Sequence, residues 1–215
     1  MDEQKKTPKN IKLGFLGDSN VGKTSICTTY VGIEFTEDTL TTIGLDKFDS
    51  KISLNDGNKI KLFLWDTSGQ ERFRSSAFRA MRVVHGIILV FDLTSRQTFE
   101  NIDKWLNDIR DNFDRPFLVL FGNKADKEKE KREVSNEEIE EFVKKNDLTY
   151  FETSAKTGQG INEGLSYIAN KAYDKICLDL KKQNEARLIE LGRYEEYYDK
   201  NQCICIRKKK RRRII

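Results

Sequence analysis

No run of apolar residues in this chain approaches the ~18 that a membrane-crossing helix needs, and the polar start from Met1 to Asn10 leads into no apolar segment of the secretory kind. Both absences point to a cytoplasmic protein. Cysteine is scarce: Cys27, Cys177, Cys203 and Cys205 are too few and too dispersed for the disulfide framework of a small secreted fold. Cys27 should face the core as a free thiol, whereas Cys203 and Cys205 stand in a polar tail. Histidine occurs once. His85 sits just ahead of an apolar run, where packing suits it better than catalysis. Internal repeats are absent.

What remains fits one domain of ordinary size with an appendage. A hydrophobic fraction of 37% and a mean hydropathy of −0.67 describe a modest core under a heavily charged surface. The net charge of +4 is unevenly spread, because Arg207-Lys208-Lys209-Lys210-Arg211-Arg212-Arg213 supplies seven positive charges and leaves −3 for the rest. Basicity is therefore a local feature of the tail. It does not make the domain a nucleic-acid binder.

Strand-like runs alternate with helix-like ones. Ile11 to Leu16 is short and apolar, and Ile60 to Trp65 alternates and stops at Asp66. Gly86 to Phe91 and Phe117 to Phe121 are continuous apolar runs, as expected of strands buried on both faces, and Thr149 to Thr153 reads as a further strand. Between them, Phe99, Ile102, Trp105, Leu106 and Ile109 fall at helical spacing in one helix from Ser95 to Asn112, with Trp105 in the core. Ser135-Asn136-Glu137-Glu138 has capping-box form ahead of Ile139, Phe142 and Val143. A last helix should run from about Ile161 towards Leu180. Alternation of this kind means an α/β fold, a mostly parallel sheet with helices on both faces. The exception is Asp49 to Leu54, joined to the strand from Lys59 by Asn55-Asp56-Gly57-Asn58, a hairpin signal that predicts one antiparallel edge strand. The expected boundaries are a flexible N-terminus over 1–10, a domain over 11–178, and a variable tail over 179–215, flexible or partner-dependent.

The sharpest motif is Gly17-Asp18-Ser19-Asn20-Val21-Gly22-Lys23-Thr24, followed by Ser25. It is a complete G-x-x-x-x-G-K-[ST] string between a strand and a helix, the context the motif requires. Its glycines let the backbone N–H groups from Ser19 to Thr24 turn inward around an anion, and the helix N-terminus adds partial positive charge. Lys23 would reach the β and γ phosphates of a nucleotide, and the Thr24 hydroxyl would ligate Mg²⁺.

In sheets of this kind ligands sit at the carboxyl ends of the strands, where three further strings fall: Asp66-Thr67-Ser68-Gly69-Gln70, Asn123-Lys124-Ala125-Asp126 and Ser154-Ala155-Lys156. Guanine offers two adjacent N–H donors that a carboxylate at Asp126 can accept, whereas the lone pair of adenine N1 would repel it. Asn123 could bond N7 and the Ala155 N–H could meet O6. The stems of Lys124 and Lys156 could pack along base and ribose.

With these strings in place, the stretch from Asn10 to Ile176 resembles the small GTPases of the Ras superfamily, and most closely the Rab branch. The likeness rests on Gly17 to Thr24, Thr42-Ile43-Gly44, Trp65 to Arg74 with its Gly-Gln-Glu-Arg-Phe-Arg string, Leu89 to Thr94, Asn123 to Asp126 and Glu152 to Lys156. It implies a P-loop small G domain with a six-stranded sheet, binding GTP or GDP with Mg²⁺. Thr42 would ligate the metal and sense the γ-phosphate, Asp66 would hold the metal through water, and the Gly69 amide would touch the γ-phosphate. Gln70 would orient the attacking water, with Lys23 as its catalytic partner, and Phe35 would stack on the guanine. Ser154, Ala155 and Lys156 complete the base site. The implied function is a slow GTP-hydrolysing switch in membrane trafficking, monomeric, served by an exchange factor, a GTPase-activating protein and effectors on the cytosolic face of a membrane. Its rivals are an ATP-using P-loop enzyme, which Asp126 argues against, and a non-hydrolysing or soluble GTP-binding scaffold without a stable anchor.

The chain departs from the family in five places. Ser68 replaces an alanine, and Ser19 and Asn20 stand where many relatives have glycine. An extra residue near Leu45-Asp46-Lys47-Phe48 predicts a bulge or shifted register in the edge strand. Around Arg79-Ala80-Met81-Arg82 the aromatic neighbours expected beside Trp65 are missing. Cys203-Ile204-Cys205 has C-x-C form, but further residues follow it, so prenylation is not expected. S-acylation of Cys203 or Cys205 beside the basic run would give two weak membrane anchors. A nuclear or RNA-binding address, or a solvated tail, are the alternatives.

Overall fold

Six strands assemble into one sheet, four of them burying several apolar side chains each. They are β1 (Asn10–Leu16), β2 (Leu45–Ser53), β3 (Lys59–Thr67), β4 (Gly86–Asp92), β5 (Phe117–Asn123) and β6 (Thr149–Glu152), in the order β2-β3-β1-β4-β5-β6. The computed structural model describes residues 8–36, 42–70, 74–113, 116–190, 194–199 and 204–209. Residues 1–7 of the N-terminus, 71–73 of the Rab-like string, Cys203, and 210–213 of the basic run lie outside them. Within this sheet only β2 is antiparallel to its neighbour. All seven residues of β4 are buried, which explains why that run is continuously apolar.

Helices α1 (Lys23–Tyr30), α2 (Arg74–Met81), α3 (Arg96–Glu100), α4 (Ile102–Asn112), α5 (Asn136–Asn146) and α6 (Ile161–Glu190) connect the strands. Leu89, Phe91 and Leu120 of the sheet pack with Phe78 of α2, Phe99 of α3, Trp105 and Leu106 of α4 and Ile139 of α5. The capping box of α5 is complete: the Glu138 N–H donates to Ser135 Oγ at 3.2 Å, and the Ser135 N–H to Glu138 Oε2 at 3.1 Å.

Two expectations are corrected. The β2–β3 register is unbroken from Leu45↔Thr67 to Ser53↔Lys59, without a bulge. The turn that follows is closed by Gly57 (φ 82°) and by the Leu54 N–H bond to the Asn58 carbonyl (2.8 Å). The single helix expected from Ser95 to Asn112 is divided into α3 and α4 at Asn101, whose side chain reaches across to Asp18.

The chain divides into two compact units, Lys9–Tyr173 and the pair of segments Met1–Pro8 and Asp174–Ile215. In the first, α6 buries Ile161, Leu165, Ile168, Ala169, Ala172 and Tyr173. In the second, the helix continues beyond Leu180 to Glu190, and β7 (Tyr194–Asp199) pairs antiparallel with β8 (Ile204–Lys209). Their register sets Glu195 opposite Lys208 and Glu196 opposite Arg207, with Cys205 opposite Tyr198.

His85 closes the gap between β1 and β4. Its N–H donates to the Lys12 carbonyl at 2.7 Å, and its Nδ1 accepts the Lys12 N–H at 2.9 Å. An accepting Nδ1 needs a neutral ring, and burial, aided by the Lys12 charge, lowers the His85 pKa below its usual value. The folded state then binds fewer protons than the unfolded one, so stability is complete above the ordinary histidine pKa and falls as pH drops towards the lowered one. Denaturant titrations between about pH 5 and pH 7 should show this loss in the parent chain and a flatter profile in His85→Gln.

Candidate functional site

Three loops at the carboxyl ends of β1, β5 and β6, with the segments around Phe35, Thr42 and Gly69, enclose a cavity of about 360 Å³. Ser19, Asn20, Gly22, Lys23, Thr24, Ser25, Phe35, Thr42, Gly69, Asn123, Lys124, Asp126, Ala155 and Lys156 line it, all singled out by the sequence. Val21, Asp66 and Ser154 stand behind the wall as buried supports, and Gln70 follows Gly69 just outside it.

The phosphate-loop geometry requires its residues. A Cβ on Gly17 (φ 139°) would overlap the Val90 carbonyl, and one on Gly22 (φ 95°) would overlap the Asn123 amide. Asn20 takes φ 63°, a left-handed conformation that asparagine tolerates better than most residues, which accounts for its standing in a glycine's place. Gly22 is the N-cap of α1 and supplies no side-chain acceptor, so the first N–H groups of the helix are left for a ligand. Gly69 packs so closely on the backbone of Asp18 and Ser19 that any side chain would push the loop away.

Lys23 Nζ donates to the carbonyls of Gly17 (2.9 Å) and Asp18 (2.6 Å). Two carbonyls do not neutralise its charge. Burial pulls its pKa down to about 8, against the opposing pull of the Asp66 and Asp18 carboxylates. An anion in the pocket would hold the proton on.

Next to it, three oxygens converge. Thr24 Oγ1 donates to Asp66 Oδ2 at 2.6 Å, Thr42 Oγ1 to the same oxygen at 3.2 Å, and the two hydroxyls are 2.9 Å apart. Asp66 Oδ1 is buried and has no hydrogen-bond partner among the described residues. Desolvation raises the Asp66 pKa, against the opposing pull of the Thr24 and Thr42 hydroxyls and of the Lys23 charge. Two hydroxyls and a carboxylate, one of whose oxygens is orphaned, form the hard, all-oxygen donor set that suits Mg²⁺. The residues fit the ion.

Asn123 joins the loops. Its Nδ2 donates to the Val21 carbonyl at 2.8 Å, and its Oδ1 accepts the Ala155 N–H at 3.1 Å, so both groups considered for N7 and O6 already hold protein partners. Thr29 Oγ1 of α1 donates to the Ala155 carbonyl at 2.7 Å. Ser154 Oγ donates to Asp126 Oδ1 at 2.6 Å, which fixes that carboxylate in the cavity wall. Lys124, at φ 69°, pairs with Asp92 at 2.7 Å.

Sequence reasoning missed several residues. Asp92 ends β4 on the same sheet edge as the other site residues, which is the signal that could have found it. Thr36 and Lys127 line the cavity from outside the named strings, and Thr67 lines it from within one without having been given a role. Trp105 is core, as expected, but its Nε1–H donates to Asp18 Oδ1 at 2.8 Å while Asn101 Nδ2 donates to Oδ2 at 2.7 Å. A buried indole N–H requires an acceptor, and asking where that acceptor lies would have led to the phosphate loop.

Comparison with known proteins agrees with this geometry. A family model described as the Ras family matches residues 12–174. The chain is 40% identical over 166 residues to Ras-related protein Rab-27B of Homo sapiens, covering 72% of this chain and 76% of that one. It is 39% identical to the Bos taurus Rab-27B over 166 residues, with the same coverage. To Ras-related protein Rab-27A of Rattus norvegicus it is 36% identical over 182 residues, covering 79% and 82%.

Replacing Asn123 by alanine leaves the Val21 carbonyl and the Ala155 N–H buried without partners, at about 1–3 kcal/mol each. Asn123→Ala should lower folding stability by about 2–4 kcal/mol in denaturant titrations and weaken ligand binding further, since three loops lose their common tie.

Proposed function

Since the chain belongs to the Ras family, as a divergent member of its Rab branch, we propose that it is a guanine-nucleotide switch that binds GTP, hydrolyses it slowly to GDP, and regulates membrane traffic through partners that recognise the GTP state. The observation that carries this reading is the single cavity that joins Lys23 of a complete phosphate loop to Asp126, a carboxylate braced by Ser154. That pairing matches a nucleotide with phosphates at one end and two adjacent N–H donors at the other.

The chemistry asks for position and charge neutralisation rather than covalent help. Lys23 and the N–H groups of the loop and of α1 bind the phosphate oxygens. Thr24, Thr42 and Asp66 would hold Mg²⁺, which when bound offsets charge on those oxygens. Gln70 orients the attacking water, and the Gly69 amide meets the γ-phosphate. Asp126, Lys124 and Lys156 with Phe35 hold the base. Loss of the γ-phosphate releases the segments around Thr42 and Gln70, which turns hydrolysis into a change of surface. An exchange factor, a GTPase-activating protein and effectors follow from such a cycle. Cys203, Cys205 and the basic run supply two weak anchors that together hold the chain to the cytosolic face of a membrane.

Two experiments test the reading. Asp126→Asn should move the preference from guanine towards xanthine nucleotides in competition binding, and Gln70→Leu should slow single-turnover GTP hydrolysis at least ~10-fold, in line with the loss of a water-positioning group. Hydrolysis unchanged by Gln70→Leu would favour a scaffold that holds its nucleotide. Intact-mass analysis of the C-terminal peptide from eukaryotic cells should find lipid on Cys203 or Cys205, and an unmodified peptide would remove the anchor.

A further inference from the structure

Asp18 is the one carboxylate within the string Gly17 to Thr24, and a loop that receives phosphates is an unfavourable place for negative charge. Both of its oxygens are held by neutral donors from the α3–α4 segment. Trp105 Nε1–H donates to Oδ1 at 2.8 Å, and Asn101 Nδ2 donates to Oδ2 at 2.7 Å. No described lysine or arginine forms an ion pair with this carboxylate. Asn101 is itself oriented, because its Oδ1 accepts from Lys104 Nζ at 3.0 Å and from Gln97 Nε2 at 3.3 Å. Only its Nδ2 is left to offer to Asp18, which sets the donor–acceptor sense of the contact. Trp105 is fixed as well, buried and stacked on Phe78 of α2.

The indole N–H needs an acceptor, but a backbone carbonyl would supply one without placing charge beside the phosphates. What the carboxylate adds is a two-point attachment of greater strength, since hydrogen bonds to an ionised acceptor are about twice as strong as neutral ones. The backbone of Asp18 is where such a grip counts. Its carbonyl accepts from Lys23 Nζ at 2.6 Å. The same carbonyl, with the Ser19 nitrogen, lies against Gly69 and leaves no room there for a side chain. One peptide unit therefore positions both Lys23 and Gly69, and α3 and α4 hold that unit through the Asp18 side chain.

We propose that Asp18 is a positioning residue: gripped by Trp105 and Asn101, it fixes the phosphate loop against Gly69 and thereby sets the chain's preference for a nucleoside triphosphate over a diphosphate. The proposal rests on the guanine-nucleotide reading and deepens it. In that reading the Gly69 amide meets the γ-phosphate alone, whereas Lys23 reaches the β-phosphate as well. A loop released from α3 and α4 loses more of its hold on GTP than on GDP. General loss of structure would weaken both alike.

The test is the ratio of two dissociation rates from the full chain with Mg²⁺, one for a fluorescent non-hydrolysable GTP analogue and one for fluorescent GDP. Asn101→Asp sets a second carboxylate against Asp18. It should raise the rate for the triphosphate at least ~10-fold more than the rate for the diphosphate, the scale of a misplaced binding group. Combining it with Asp18→Asn exchanges donor and acceptor while keeping an acceptor for Trp105, and should restore most of the parent ratio. Trp105→Phe, which keeps an aromatic ring but has no N–H, should shift the ratio in the same direction as Asn101→Asp. Asn101→Ala serves where Asn101→Asp fails to fold, since the Asn101 side chain makes no capping bond to α4 whose loss would confuse the result. Equal acceleration for the two nucleotides would overturn the proposal and leave Asp18 as a structural acceptor. So would an exchanged pair that behaves like Asn101→Asp alone. A parent chain that binds neither nucleotide would overturn the guanine-nucleotide reading, and this proposal with it.

Discussion

The loops around the cavity have no regular structure of their own, and the buried amide of Asn123 is what ties them to one another. Its two ends reach the Val21 carbonyl in the phosphate loop and the Ala155 N–H beyond β6, while its backbone belongs to β5. In a dry interior such bonds are strong, and each unmade one is costly. The geometry at the phosphates and the geometry at the base are therefore set together. Thr29 adds a second tie from α1 to the Ala155 carbonyl, and Asp126 inherits its position through Ser154.

On the phosphate side the constraint is charge rather than hydrogen bonding. Lys23 is buried with carbonyl partners and a lowered pKa, and Asp66 is buried with a raised one and an orphaned oxygen. Each shift is set first by burial and opposed by the charge of the other, and a nucleotide with its metal would add a further counter-charge to both. Asp18 extends this region outward, where Trp105 and Asn101 hold its two carboxylate oxygens. Trp105 also stacks on Phe78 of α2, with ring centres 6.0 Å apart. The phosphate loop is thus packed, through one side chain, against the helix that follows the Gly69 segment.

Much of the fold was legible because burial writes itself into a sequence. A strand covered on both faces has to be apolar throughout, which is why Gly86 to Phe91 and Phe117 to Phe121 were readable, and Asp56-Gly57 marked the antiparallel hairpin through its turn chemistry. The phosphate loop and the guanine-type string were legible because backbone approach and donor pattern restrict residue choice. Long-range geometry was not. The continuous β2 register is set by pairing along the whole of β3, and the break at Asn101 accompanies a bond to Asp18, far away in sequence. The pairing of β7 with β8 was hidden in a tail whose charge and tyrosine content read as flexible or partner-dependent. Trp105 had the spacing of a core residue, and its polar edge leaves no trace in periodicity.

The central claim is that one cavity recognises a guanine nucleotide by its base as well as by its phosphates. Equilibrium titration of the nucleotide-stripped chain with GDP and with ADP, in the presence of Mg²⁺, tests it most directly. Tight binding of GDP with ADP weaker by at least ~10³-fold, the scale set by mispaired buried polar groups, is the predicted result. Equal affinity for the two would mean that Asp126 does not read the base, and would contradict the account.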